Sequence, residues 1–174
     1  MSLATDPALA KDVVAAARLT GRFVLRSGQV ADTYFDKYRF EADPALLRRI
    51  AGRMVALLPP EAELLAGLEL GGVPIATAMA LESGLPAAFV RKEAKTYGTC
   101  RAVEGADVKG RRLVMVEDVI STGGAIAQAA EHLAAEGAVI VAVVCAIWRG
   151  PGAPALSFLP GVPVRAAFTQ DELT

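Results

Sequence analysis

The chain has 174 residues, 53% of them hydrophobic, and a formal net charge of −1. Such a chain can bury a sizeable core but is short for two independent domains of ordinary size. The near-zero charge, with no long block of one sign, gives no ground for a polyanionic partner such as DNA, so any anion binding has to be local. No apolar run is long enough to span a bilayer, and Met1 to Ala10 lacks the basic-then-apolar order of a secretory signal. Cys100 and Cys145 have neither CxxC spacing nor a clustered histidine, a poor basis for a disulfide or a zinc framework, and a reducing cytoplasm is their simplest setting. The single histidine, His132, falls inside a predicted helix and is given a surface or packing role.

In chain order, the first two helices are announced alike. Asp6-Pro7 and Asp43-Pro44 each set an acid that can cap free N–H groups before a proline suited to the first helical position, predicting helices over about 7–19 and 44–58. Between them, Phe23 to Arg26 and Thr33 to Tyr38 read as extended, joined by the turn-forming stretch from Ser27-Gly28 onward, which makes an N-terminal hairpin or hood. From Glu63 the pattern changes to short apolar runs alternating with helical stretches: Leu64 to Leu68, Ile75 to Leu81, Ala87 to Val90 and Leu113 to Val116. That alternation predicts β-α-β units and a parallel sheet. About twenty residues after Val90 show no clear periodicity. A helix over about Gly124 to Glu136, stopped by Gly137, leads to Ala138 to Ile147, apolar enough for a strand buried on both faces, and Val162 to Phe168 supplies a last strand. The prolines and glycines after Arg149 form a loop-rich region too short for a linker, so residues 1–174 read as one domain, with hood elements in about 1–40 and a core in about 60–148. In open α/β sheets, ligands sit beyond the carboxyl ends of the strands, and the loops of chemical interest fall there.

The most informative segment runs from Val114 to Gly124. An apolar strand ends in two carboxylates, Glu117 and Asp118, followed by Val119 and Ile120 and then by Ser121, Thr122, Gly123 and Gly124, which open a helix at about Ala125. Glycines let the backbone approach an anion, hydroxyls add donors, and the helix start leaves N–H groups free; together they select a phosphorylated ligand. Glu117 and Asp118 would repel a phosphate, so they suit sugar hydroxyls or the orientation of a divalent ion. A sugar phosphate satisfies both halves. The Walker A pattern is absent, which disfavours a P-loop nucleotidase. Val116 to Gly124 resembles the phosphoribosyl pyrophosphate (PRPP) signature of type I phosphoribosyltransferases. The resemblance implies that Glu117 and Asp118 meet the ribose 2- and 3-hydroxyls and that Ser121 to Gly124, with Val119, Ile120 and Ala125 alongside, hold the 5-phosphate.

The run Arg91-Lys92-Glu93-Ala94-Lys95-Thr96-Tyr97-Gly98-Thr99-Cys100-Arg101 leaves a predicted strand and enters the aperiodic stretch. It is basic, and long loops in compact domains are commonly lids or binding loops. It resembles the mobile catalytic loop of orotate phosphoribosyltransferases, which implies that Arg91, Lys92 and Lys95 engage the pyrophosphate of PRPP and, with Asp118, form the catalytic set. Tyr97 is placed beside PRPP too; it stands where many members carry histidine, so no histidine proton donor is expected there. Phe23 to Gly28 followed by Thr33-Tyr34-Phe35-Asp36 is similar to the family's base-binding hood. Orotate is a planar carboxylate, suited to a cation and apolar walls, and the likeness makes Arg26, Tyr34 and Phe35, with Thr122 and Arg149, its expected contacts. Trp148, beside Arg149, replaces a frequent aspartate. Leu68 to Pro74 resembles the pyrophosphate loop, where Gly71 and Gly72 allow close approach of backbone amides. Some orotate enzymes have a lysine near here; glycine in this chain shifts the cationic burden to Lys92 and Lys95. The same likeness suggests a cis peptide at Leu70–Gly71.

The fold so implied is α/β, type I phosphoribosyltransferase-like: a central, mostly parallel sheet flanked by helices, with a small N-terminal hood. The implied reaction displaces pyrophosphate from the ribose anomeric carbon by a ring nitrogen of orotate. Mg²⁺ is the implied cofactor, held mainly through PRPP rather than by direct protein ligands. A cytoplasmic homodimer is implied, with some loop cations reaching the neighbouring subunit's site, and no nucleic-acid or membrane partner. Two alternatives stay open: a phosphoribosyltransferase for another base, such as a purine, and a PRPP-sensing regulator without catalysis. The second is disfavoured by the lack of an added nucleic-acid-binding surface and by the retained cationic loop.

Overall fold

The structure is a computed structural model that describes residues 4–24, 28–94 and 101–174. Asp6 accepts a hydrogen bond from the Leu9 N–H and Pro7 takes the first turn of helix α1 (Pro7–Ala17). The helix stops short of residue 19 because Arg18 is already extended and opens strand β1 (Arg18–Val24), which pairs antiparallel with β2 (Val30–Phe35) in a two-stranded ribbon. The hood is therefore a hairpin, but its second strand does not reach Tyr38. Asp36 accepts from the Tyr38 N–H and starts a short helix, α2 (Lys37–Ala42), so one capping acid turns the chain where the sequence reading carried the strand onward. Asp43 then caps α3 (Pro44–Val55), accepting from the Ala45 and Leu46 N–H groups at 2.9 and 3.1 Å.

From Leu64 the chain alternates as its apolar runs require. Strands β3 (Leu64–Leu68), β4 (Ala87–Val90), β5 (Val103–Gly105), β6 (Arg112–Ile120), β7 (Val139–Trp148) and β8 (Val164–Thr169) form one sheet in the order β5-β4-β3-β6-β7-β8. Every neighbouring pair is parallel except β4 with β5. Strand β5 lies inside the stretch read as aperiodic, since three residues are too few to display an alternation. Helix α4 (Gly72–Ser83) crosses from β3 to β4 and α5 (Gly124–Ala135) from β6 to β7. Gly137, in the left-handed conformation at φ 79°, turns the chain out of the end of α5 as expected.

Two cores sandwich the sheet. On one face Leu65, Val114, Val116, Ala142 and Val144 pack with α1, α3 and α4; on the other Leu64, Ala66, Leu113, Met115, Val143 and Cys145 pack with α5. Alternate residues of β3, β6 and β7 thus serve opposite layers, which is why these strands read as unbroken apolar runs. Helix α4 and the sheet approach closely at Gly67 in β3, where an added Cβ would lie 2.6 Å from the Gly72 carbonyl oxygen and 2.7 Å from the Ala76 methyl. Gly67→Ala is expected to destabilise the fold by about 1–3 kcal/mol, the usual cost of overpacking, measured as a lower denaturant midpoint at unchanged slope.

Candidate active site

Because β3, β4, β6 and β7 run parallel, their carboxyl ends open on one edge of the sheet. Glu69, Arg91, Ser121 and Arg149 each follow the last residue of one of these strands. Three of the segments singled out by sequence, together with Arg149, are therefore brought to one edge by the topology of the sheet.

At the end of β6, Glu117 is 7% exposed and Asp118 fully buried. Asp118 continues the side of the strand that carries Val114 and Val116 and packs against Gly71, where an added Cβ would lie 1.7 Å from its Oδ2. A Cβ at Gly72 would lie 2.3 Å from the Val116 carbonyl oxygen. These glycines are thus required by the chain's own carboxylate and backbone, whatever ligand they meet. The cis peptide of this loop is Glu69–Leu70, one bond before the expected Leu70–Gly71.

Two residues that sequence reasoning missed complete the acid cluster. Lys37, at the start of α2, places its ammonium nitrogen 2.5 Å from Asp118 Oδ2, an ion pair without a well-aligned hydrogen bond. Glu41, one turn further on, is 7% exposed, and its Oε1 is buried without a hydrogen-bond partner. Burial, then the Asp118 charge, pushes the carboxyls of Glu41 and Glu117 up to about 8. Burial works against the Lys37 charge, but Asp118 outweighs it and raises the lysine. The only hint in the sequence was the spacing of Lys37 and Glu41 by four residues, which helix geometry puts on one face. With the extended segment carried to Tyr38 and no helix expected between it and residue 44, that face could not be seen.

Beyond Ile120, Ser121 and Thr122 are exposed, and Gly123 adopts φ 81° as the residue before α5, with no side chain capping the helix. A Cβ at Gly123 would lie 2.5 Å from Leu156, so both conformation and space call for glycine. The first N–H groups of α5, from Gly124 and Ala125 onward, are presented with the positive end of the helix dipole, a suitable seat for a phosphate.

On β4's side, the Arg91 N–H is bonded to Ala102, while its Nε is buried without a partner. Lys92 is exposed. Lys95 and Tyr97, like Arg26 in the hood, lie outside the described residues. On β7's side, the Arg149 guanidinium sits 4.7 Å from the centroid of the Phe35 ring, and burial lowers its pKa. Tyr34, Phe35 and Arg149 border one cavity of about 160 Å³, together with Thr33 of the same hood segment and with Arg18 and Gln170, which the sequence did not single out. Thr122 is not among the residues around it. Trp148, 4% exposed, packs its indole on Gly150 and donates to the Gly152 carbonyl at 3.1 Å, which fixes the turn after Arg149.

The acid cluster has a pH signature. Between the ordinary carboxylate range near 4.5 and about 8, the folded chain keeps a proton on Glu41 that the unfolded chain releases, so rising pH favours unfolding across that window. Stability that depends on this proton is complete below about 4.5 and lost as the pH climbs towards 8. Glu41→Gln keeps the shape without the titration. It is expected to flatten the fall of the melting temperature over this window and to melt a few degrees above the parent at the alkaline end, since about 1 kcal/mol moves a domain of this size by about 2–4 °C.

The model of the phosphoribosyl transferase domain family matches residues 40–157. Over 168 residues the chain is 55% identical to an orotate phosphoribosyltransferase of Nocardioides sp., covering 97% of this chain and 94% of that one. It is 38% identical over 178 residues to an orotate phosphoribosyltransferase of Thermococcus gammatolerans, again covering 97% and 94%. Among solved structures it is similar to the Mycobacterium tuberculosis orotate phosphoribosyltransferase in complex with PRPP, at a TM-score of 0.81 and 27% identity, covering 96% of this chain and 97% of that one. With the family model matching two thirds of its length and a relative 55% identical along nearly all of it, the chain belongs to the phosphoribosyltransferase family, among the orotate phosphoribosyltransferases.

Proposed function

We propose that this chain transfers the ribose 5-phosphate group of PRPP to orotate, giving orotidine 5'-monophosphate and pyrophosphate, a step of pyrimidine (UMP) synthesis. The observation that carries the reading is the meeting, on one sheet edge, of a phosphate seat at the start of α5, two acids at the end of β6 and a guanidinium over an aromatic ring at the hood. Each part answers to one part of the reaction. The N–H groups and hydroxyls from Ser121 to Gly124 take the 5-phosphate. Glu117 and Asp118 accept from the ribose hydroxyls, the sugar displacing the Lys37 ammonium from Asp118. Phe35, Tyr34, Arg26 and Arg149 enclose the base and its carboxylate.

A ring nitrogen of orotate attacks the anomeric carbon as the bond from that carbon to the pyrophosphate oxygen breaks, the electron pair leaving with pyrophosphate. Charge develops on the leaving group and on the sugar, so groups placed against pyrophosphate act most strongly in the transition state. Arg91, Lys92 and Lys95 fill that role. Mg²⁺, when bound with PRPP, neutralises part of the diphosphate charge; Glu117 and Asp118 put carboxylate oxygens beside the ribose, where they suit the waters of such an ion. The chain acts as one domain, with the hood in about 1–40 and the PRPP-binding core in about 60–148, as a homodimer in the cytoplasm; family membership supports the last two. Among the described residues no helix is long and apolar enough to cross a membrane.

The test is release of pyrophosphate from PRPP and Mg²⁺ with orotate, uracil, adenine, hypoxanthine or no base. Release is expected with orotate alone. Release with a purine would keep the reaction class and overturn the base, and no release with any base despite tight PRPP binding would favour a regulator. Lys95→Ala is expected to lower kcat by about 10²–10³-fold, the scale for losing one group that stabilises developing charge. Arg149→Ala is expected to act mainly on the KM for orotate, since its guanidinium faces the base cavity rather than the phosphates.

A further inference from the structure

Lys92 is the second residue past the end of β4, yet its main chain is held from two sides. Its N–H donates to Glu69 Oε2 at 3.0 Å, from the loop after β3. Its carbonyl oxygen accepts from Gln128 Nε2 at 2.7 Å and lies 3.3 Å from His132 Nε2, both on α5. Gln128 and His132 are four residues apart and so share one face of that helix. The same helix begins at the phosphate seat, and Glu69 immediately precedes the loop whose Gly71 packs on Asp118. Two separate segments of the site therefore converge on a single residue of the basic loop.

We propose that Gln128 and His132, with Glu69, are positioning residues that fix the Lys92 backbone and thereby aim its ammonium group at the leaving pyrophosphate. The inference rests on the reading of Lys92 given above and adds how the chain places it. A lysine is a point charge on a flexible four-carbon stem. If its Cα is free as well, the orientation needed in the transition state has to be found from many others, and the rate falls accordingly. The sheet gives no such control at this position: the last main-chain bond of β4's outer side is made by the Arg91 N–H to Ala102 at 2.8 Å. Lys92 is exposed and borders a small cavity of about 40 Å³, lined by Leu68, Val90, Ala125 and Ala129 together with Glu69, Arg91 and Gln128, so apolar packing does not enclose it. The polar bonds from Glu69, Gln128 and His132 therefore hold the residue where the packing does not.

A double-mutant cycle distinguishes positioning from general support. Four chains are compared: the parent, Lys92→Ala, Gln128→Ala/His132→Ala, and the three changes combined. Gln128→Ala/His132→Ala is expected to lower kcat/KM for PRPP about tenfold, the scale of lost hydrogen bonds, with the KM for orotate and the melting temperature unchanged. In the Lys92→Ala background the same two changes are expected to cost nothing further. Gln128→Glu, equal in shape but unable to donate when ionised, is expected to repeat the loss made by Gln128→Ala alone. An equal loss in both backgrounds would overturn the proposal while leaving the role of Lys92 intact. Unchanged activity in Lys92→Ala itself would remove the reading of Lys92, and the proposal with it.

Discussion

A carboxylate with no exposed surface at the end of a buried strand is costly to keep charged, because removal from water must be offset by partners close at hand. Asp118 is in that position. Its neighbours follow from it: Gly71 has no side chain because the carboxylate fills that space, and Lys37 reaches in from the hood helix to pair with it. Glu41 and Glu117 hold their protons more tightly, first through burial and then through the neighbouring Asp118. The hood and the sheet are thus joined through one acid. A ligand that offers hydroxyl donors to Asp118 competes with Lys37 and so acts on both parts at once.

The rest of the site is a consequence of parallel strands. A parallel sheet sends every strand's carboxyl end to the same edge, so the phosphate seat, the acids, the basic loop and the base cavity meet without long excursions of the chain. Helix α5 is used twice in this arrangement. Its first turn leaves N–H groups free to take the phosphate in the proposed reaction, and its middle face, through Gln128 and His132, meets the start of the basic loop. Rigid elements carry both jobs, which is what a reaction dependent on placing charge requires.

Much of this was legible in the sequence because the chemistry is concentrated in short segments with strong local signals. The acids and glycines of Glu117 to Gly124, the buried strands β3, β6 and β7, and the proline-marked helix starts all announced themselves through residue type and period. The features that were missed depend on contacts between distant segments or on elements too short to show a period. Asp36 looked like one more residue of a strand, and only its capping of α2 brings Lys37 and Glu41 to Asp118. Strand β5 has three residues and owes its existence to pairing with β4. His132 gave no chemical signal because its partner, the Lys92 carbonyl, lies forty residues away. Gly71 and Gly72 were read for what a ligand might need, whereas Asp118 and the Val116 carbonyl already forbid a side chain at either position.

The most direct test of the central role of Asp118 separates recognition of the ribose from recognition of the phosphates. Binding of PRPP and of pyrophosphate, each with Mg²⁺, can be measured by calorimetry on the parent chain and on Asp118→Asn. If Asp118 accepts from the ribose hydroxyls, the variant binds PRPP at least about tenfold more weakly, a difference of about 1.4 kcal/mol, and binds pyrophosphate as before. Equal weakening of both ligands, or no weakening of PRPP, would contradict the account.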